Sequence, residues 1–523
     1  MEKNLNKSAK KPSVDGWRDL KPGDQKKATI SQPARPESEI RLDKLDQLKK
    51  LGINPYPSAT PEHITIEEAR SKKEGAKVAI VGRITAIRSH GQSSFFDLQE
   101  NEEKLQLYFK LDQVGEKFYK LLGLFDCGDY LWVSGQLFVT KAGELTLKAD
   151  SCQLLAKSLL PIPEGWHGLT DIETRYRQRA LDFKTNPKAR NIIQTRSKVI
   201  STLRYFLEGH GFIEITTPVL QPIPGGAAAK PFITHYNTLD ADFYLRISKE
   251  LYLKRLVVGG FERVFEIGPD FRNEGLSHMH NPEFTMCEFY WAYQTHQDLM
   301  KITQKLVQEL VKVTHNNQLT CVYQKQKLDF SGQFAVRKYR DLIGEEAEID
   351  IAVEDTFAAL DKAVKARKIT FENQNIKVWS ELVDELFKKV VRPKIVAPTF
   401  VTDYPISTAP LAKSYERDPD TAQMFQLIVA GGFELVKAYS ELNDPLDQEE
   451  RFASQARMKA EGWDEAQMLD ENYIEALKYG LPPTAGWGMG IDRMVMILTD
   501  QYSIKEVIPF PTLRPVSHKK EKG

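Results

Sequence analysis

Residues 77–155 hold five short runs in which apolar and polar residues alternate: VAIVGRITAIR, SFFDLQ, KLQLYFK, DYLWVSGQLFVT and GELTLKADSCQLL. A period of two sends one face of each run into a core and the other toward solvent, which no helix can do. Five such strands with a helical insert before the fourth predict a small barrel of the OB type. After the linker LLPIPEGW the pattern changes. Long helical segments alternate with β-rich stretches as far as Arg514, and strands are expected near residues 213–220, 264–271, 283–291, 427–443 and 486–490. That order predicts an α+β class, with an antiparallel sheet flanked by helices behind the barrel.

The expected organisation is a disordered basic tail over 1–38, a short helical lead-in over 39–76 with a helix near residues 42–51, the barrel over 77–157 and a linker over 158–170. The large domain would run over 171–515, with a helical insertion or connector at about 315–400, and a tail over 516–523. A chain of 523 residues has room for several such cores. The first 38 residues are rich in Lys, Pro, Ser and Gln and have too little apolar surface to offset the entropy of ordering. Lys and Arg number 72, as do Asp and Glu, so any nucleic-acid surface has to be local. The four cysteines, Cys127, Cys152, Cys287 and Cys321, form no CxxC pair. A zinc cage and a disulfide framework are both disfavoured, and a reducing, cytoplasmic setting is expected. No run approaches the roughly 20 apolar residues of a membrane span, and the N-terminus lacks the apolar core of a signal peptide, so no membrane is expected.

In the barrel, Phe95 and Phe96 fall in one strand and Gln106 and Tyr108 in the next, so a ring and an amide can share an open face. A base stacked on a ring gains roughly 1–3 kcal/mol, and an amide can read the edge of an unpaired base. Arg83, Arg88 and Lys104 are placed to hold phosphates. Aromatic strand residues are more often core, and one of the two phenylalanines must point inward.

Residues 271–293, FRNEGLSHMHNPEFTMCEFYWAY, carry the chemistry. Arg272 is followed two residues later by an acid, then by a turn with Gly and His, then by a strand bearing Glu283 and Glu288. An arginine fork on a strand can grip a carboxylate and a phosphate together, which joining an amino acid to ATP requires. Near the C-terminus, GWGMGIDRMVM (486–496) sets Arg493 at a helix start behind a glycine-rich strand, where a nucleotide can come close.

With GFIEITTPVL and its Pro218, the FRNEG to HNPEFT hairpin and GMGIDR, in that order behind a barrel, the chain resembles the class II aminoacyl-tRNA synthetases. PGGAAAKPFIT, RISKELYLKRLVVGGFERVFEIG, AYSELNDPLDQ and GLPPTAG resemble the bacterial-type lysyl members more than the aspartyl or asparaginyl ones. The likeness covers roughly residues 40–515. It implies activation of L-lysine with ATP and Mg²⁺, then transfer to tRNA(Lys), by a homodimer whose interface includes the Pro218 motif. It also implies catalytic roles for Arg272 and Arg493, with Glu274, His280, Asn281, Phe284 and Glu434 completing the ATP site. Gly226, Glu250, Arg272, Glu288, Tyr290, Tyr439 and Glu441 would hold lysine, Glu434 the metal, and Phe95, Gln106 and Arg88 the anticodon. A buried ammonium is costly unless paired, so a carboxylate-lined pocket selects a dibasic amino acid.

Two positions depart from the resembled pattern. In FQLIVAGGFELVKAYSELND, Gln426 stands where the family has the first of two metal-holding acids, with one extra residue before Glu434. An amide is a poorer Mg²⁺ ligand than a carboxylate. Lys437 stands where an asparagine is usual, and an ammonium ~4 Å from the substrate's own costs on the order of 4 kcal/mol at an effective dielectric near 20. Either Lys437 turns away or the pocket prefers another substrate. Two competing readings are a paralogue with altered amino-acid or acceptor specificity and a non-catalytic RNA-binding homologue.

Overall fold

The computed structural model describes residues 35–162, 169–373, 375–460 and 468–516, with the side chains of 458–460 left aside. Most of the expected N-terminal tail, half of the linker and nearly all of the C-terminal tail lie outside these residues. Two compact units divide the chain at Glu164.

The first unit opens with helix α1 (Glu37–Lys50), which covers the lead-in helix expected near residues 42–51. Five strands follow: β1 (Lys77–His90), β2 (Ser93–Glu100), β3 (Glu103–Lys110), β4 (Tyr130–Val139) and β5 (Leu145–Ala156). They close in the order β1-β2-β3-β5-β4. Short helices occupy the β3–β4 connection, where the insert was expected. The alternation works as read: Phe96, Leu98, Leu105, Leu107 and Phe109 fill the interior.

The second unit is built on an eight-stranded sheet. Its strands are β6 (Ile213–Glu214), β7 (Arg263–Phe271), β8 (Glu283–Ala292), β9 (Ala335–Lys338), β10 (Thr399–Thr402), β11 (Met424–Val429), β12 (Phe433–Ser440) and β13 (Thr484–Gly490). Their spatial order is β9-β10-β11-β12-β13-β8-β7-β6. The central strands pair antiparallel as expected, but both edge pairs, β9–β10 and β7–β6, run parallel, so the sheet is mixed. The region at 315–400 also departs from the helical expectation. It holds a hairpin, Thr320–Tyr323 with Gln326–Asp329, and the edge strand β9 before its helices begin at Tyr339.

One face of the sheet is the core. Phe289, Val436, Ala438, Ala485, Trp487 and Met489 pack there against α2 (Pro187–Gly209), α4 (His296–Thr314) and α5 (Ile491–Leu498). Helix α3 (Glu250–Val258), between α2 and α4 in sequence, packs with Tyr290 in a separate cluster. Local signals start the long helices. Asn186 caps α2 with Pro187 in its first turn, and Thr295 and Asp298 form a reciprocal capping box at α4. The opposite face of the sheet carries the site.

Candidate active site

Strand alternation sorts the side chains of the site. Along β13, Ala485, Trp487 and Met489 enter the core, leaving Gly486, Gly488 and Gly490 on the other face. Neighbouring strands bring Met286, Glu288 and Tyr290 from β8 and Glu434, Lys437 and Tyr439 from β12 onto that face. Glu434 shares it only because β12 contains a bulge: Leu427 pairs with Val436 and Ile428 with Glu434, so Leu435 is extra. In an unbroken alternation Glu434 would fall in phase with Val436, on the core side. These side chains, with the 272–282 loop and the Gly226 turn, line a cavity of about 370 Å³.

Carboxylates gather at one end. Glu288, buried, accepts hydrogen bonds from the Ser248 hydroxyl at 3.1 Å and the Lys249 N–H at 3.4 Å. Burial pushes its carboxyl up to about 7, with Asp270 and Glu250 adding to the shift and Lys249 opposing it. Glu250 accepts from the Tyr439 hydroxyl at 2.7 Å and the Lys254 ammonium at 2.5 Å. Glu441 lies beneath, ion-paired with Lys254, and burial still drives its carboxyl well above the usual range. Its Oε2 meets the Lys254 ammonium, while Oε1 has no hydrogen bond among the described residues and keeps its accepting capacity. Burial works against the Lys254 charge, but Glu250 and Glu441 outweigh it and hold the ammonium on.

Two glycines make room here. At Gly226, with φ +86°, an added Cβ would stand 2.9 Å from both Glu250 Cβ and Ser248 Oγ. At Gly486 a Cβ would collide with Glu441 and come 2.5 Å from Tyr290 Cε1. The floor of this end is therefore backbone.

Cations gather at the other end. Arg272 leaves β7 with its guanidinium carbon 5.1 Å from the centre of the Phe284 ring, and its buried Nε has no hydrogen-bond partner among the described residues. Behind it, buried Arg246 donates to Glu266 at 2.5 Å and to the Pro269 carbonyl at 2.9 Å, and the Lys249 ammonium sits 2.8 Å from Asp270. That charged scaffold fixes the end of β7. Arg493 donates to the Glu434 carbonyl at 3.2 Å, and burial together with Arg392 and Arg272 lowers its pKa against the pull of Glu434. Asp492, beside it, accepts from Arg196 and from the Thr285 N–H at 2.7 Å, locking α5 to β8. His280 is held by Ser277 at 2.9 Å, and burial, Arg493 and Arg272 lower its pKa, favouring the neutral ring. Asn281 is committed to the Glu283 carbonyl at 2.6 Å.

The cavity is thus acidic at one end and basic at the other, the arrangement an amino acid with a second ammonium and a nucleotide triphosphate would need side by side. Residues 171–514 match the family described as tRNA synthetases class II (D, K and N), and residues 78–155 match the OB-fold nucleic acid binding domain. The lysine–tRNA ligase of Carboxydothermus hydrogenoformans is 45% identical over 482 residues, 91% of this chain and 98% of that one. Those of Magnetococcus marinus and Aquifex aeolicus are 46% and 47% identical, over 91% and 85% of this chain and 96% and 74% of theirs. The chain belongs to the class II tRNA synthetases.

Of the residues this synthetase was expected to use, twelve line the cavity together: Arg272, Glu274, His280, Asn281, Phe284, Glu434 and Arg493 toward the basic end, Gly226, Glu250, Glu288, Tyr290 and Tyr439 toward the acidic. Glu441 lies just below, over Gly486. Gln426 is not brought in: its amide oxygen accepts from Tyr404 at 2.9 Å, and it is absent from the cavity wall. Lys437 does line the cavity. Its charge registers at Glu434, which Arg392, Arg493, Lys437 and Lys388 together hold below the usual range against the effect of burial. Glu288 and Glu441 answer instead to burial, to Glu250, and to Lys249 and Lys254 respectively.

Lys254 and Arg392 escaped the sequence reading. Lys254 had a signal, its i,i+4 spacing from Glu250 on a helix. Arg392, 4.0 Å from Glu434, had none, since it lies in the region taken as connector. For Mg²⁺, no three metal-binding side chains cluster among the described residues. Mg²⁺ commonly takes one or two carboxylates plus substrate phosphates, so Glu434 fits an ion carried in with ATP, while Gln426 does not complete a two-acid site.

In the barrel, Phe95 is half-buried on the outer face with its ring 4.9 Å from Tyr108, while Phe96 points inward. Gln106, on the same face, accepts from Thr146 and donates to Glu144, both at 3.0 Å, which fixes its amide and leaves a second N–H. Arg88 is forked onto Asp97 at 2.6 and 2.8 Å.

Proposed function

We propose that this enzyme couples L-lysine to ATP as lysyl-adenylate, releasing pyrophosphate, and then passes lysine to the 3′ end of tRNA(Lys), releasing AMP. The observation that carries the reading is the bipolar cavity. Glu250, Glu288 and Glu441 suit two ammonium groups, and Arg272 and Arg493 suit a carboxylate beside a triphosphate. In this reading the α-ammonium lies between Gly226 and Glu250, and the ε-ammonium meets Glu441 and Tyr290, with Glu288 and Tyr439 along the walls.

Arg272 then bridges the lysine carboxylate and the α-phosphate, steered by its orphaned Nε and its place over Phe284. The carboxylate oxygen attacks phosphorus in line, the bond to the pyrophosphate oxygen breaks, and Arg493 receives the charge that develops there. Glu274, His280, Asn281 and Phe284 hold the nucleotide. No side chain need act as nucleophile, since positioning and charge neutralisation supply most of what such a transfer requires. Glu434 would hold Mg²⁺, which would supply further neutralisation of the phosphates. A terminal ribose hydroxyl of the tRNA attacks the activated carbonyl in the second step.

Phe95, Gln106 and Arg88 read the anticodon, supported by the one face they share with Tyr108. A homodimer is supported by apolar groups left outside on the motif that includes Pro218: Tyr205 is 73% exposed, Ile213 51% and Leu220 51%. A cytoplasmic setting accords with the absence of any disulfide among the four cysteines. Among the described residues no helix is long and apolar enough to cross a membrane.

Pyrophosphate exchange with each of the twenty amino acids tests the reading. Lysine alone should support exchange, and Arg272→Lys should cut it by about 10²–10³, the cost of losing one preorganised charge donor. Exchange without lysine preference would overturn the assignment of the acidic end.

A further inference from the structure

Gln426 and Lys437, the two departures from the resembled pattern, face each other directly across the β11–β12 ladder. An acid is missing and an ammonium gained at one spot, so this spot is two charges more positive than a pair of acid and asparagine. That is the charge of one divalent cation. We propose that the Gln426–Lys437 pair replaces one metal ion of the adenylation site, with the Lys437 ammonium taking the phosphate charge that a second Mg²⁺ would otherwise take. This rests on the adenylation reading above.

Three observations converge. The Gln426 amide oxygen is turned to the Tyr404 hydroxyl and away from the cavity, so it offers no ligand there. Lys437 lines the cavity half-buried, with no hydrogen bond or ion pair among the described residues, and a partly desolvated ammonium without a partner is stable where a ligand supplies the anion. Glu434 is a single carboxylate among Arg392, Arg493 and Lys437, Lys388 beyond them being ion-paired with Asp384 and Glu385. A surplus of positive charge repels a dication and attracts phosphate oxygens. The bulge at Leu435 phases Lys437 with Glu434, so both address the same bound group.

The test counts Mn²⁺ bound by the full chain in the presence of lysine and α,β-methylene-ATP, using electron paramagnetic resonance. Wild type, Q426E, K437N and Q426E/K437N are compared, with melting temperatures to establish that each is folded. The double variant should bind one Mn²⁺ more per site than wild type. In EDTA, wild type should still bind the analogue, and K437N alone should weaken that binding at least tenfold. Equal Mn²⁺ counts in wild type and double variant, or an unchanged affinity of K437N in EDTA, would overturn the replacement while leaving adenylation intact. If none of the four binds the analogue and wild type shows no lysine-dependent exchange, the adenylation reading falls, and this inference with it.

Discussion

Glu288 gives the site a pH dependence whose sign can be worked out. Its carboxyl stands at about 7 in the ligand-free site, chiefly through burial. An incoming ammonium binds the ionised form, so below that pH lysine binding must expel a proton. Lysine affinity is therefore expected to weaken as pH falls through 7, by up to about tenfold per unit for this carboxyl. Calorimetry in buffers of different ionisation enthalpy measures both the slope and the proton released, and Glu288→Gln should remove the step near 7 while leaving the release from Glu441, whose carboxyl burial also raises. At Gly486 the expected effect is steric: Gly486→Ala should raise the lysine KM steeply while leaving ATP affinity near wild type, because the intruding Cβ meets Glu441 and Tyr290 rather than Arg272. Single residues were legible in the sequence where one side chain implied one chemistry, as with Arg272 and Arg493. Lys254 was hidden because a lysine four residues after a glutamate is also what an ordinary solvated helix shows, and only burial tells the two apart.

Elements were legible where their signal was local. The barrel strands carry their period of two and β13 its glycine alternation, so both were readable at sight. The hairpin near residue 324 was not: its two-residue turn uses Gln324 and Lys325, with φ of 47° and 69°, in place of the glycine and asparagine that usually announce such a turn. The parallel edges were illegible for another reason, since β9 and β10 lie some sixty residues apart and pair through contacts no local window contains. The bulge in β12 was visible only as an extra residue before Glu434, and its effect on phase emerges from the register. On the barrel, Phe95→Ala should raise the tRNA KM in aminoacylation on the order of ten- to a hundredfold, the worth of one base stacked on a ring. Pyrophosphate exchange, which needs no tRNA, should not change, and a parallel loss there would place Phe95 in folding instead.

For the molecule as a whole, the question legible in outline is association. The motif that includes Pro218 was expected to lie in a dimer interface, and Tyr205, Ile213 and Leu220 beside it remain outside in the folded chain. Sedimentation velocity should give a dimer, and Ile213→Asp should shift it toward monomer; an unaltered dimer would move the interface elsewhere. Redesign of the substrate range meets a limit in the same fold. Glycine is the smallest residue there is, so the ground beneath the lysine side chain cannot be dug deeper by mutation. Longer or Nε-acylated lysines would have to be admitted by trimming Glu441, Tyr290 or Tyr439, and a library that leaves all three intact should return nothing larger than the natural substrate.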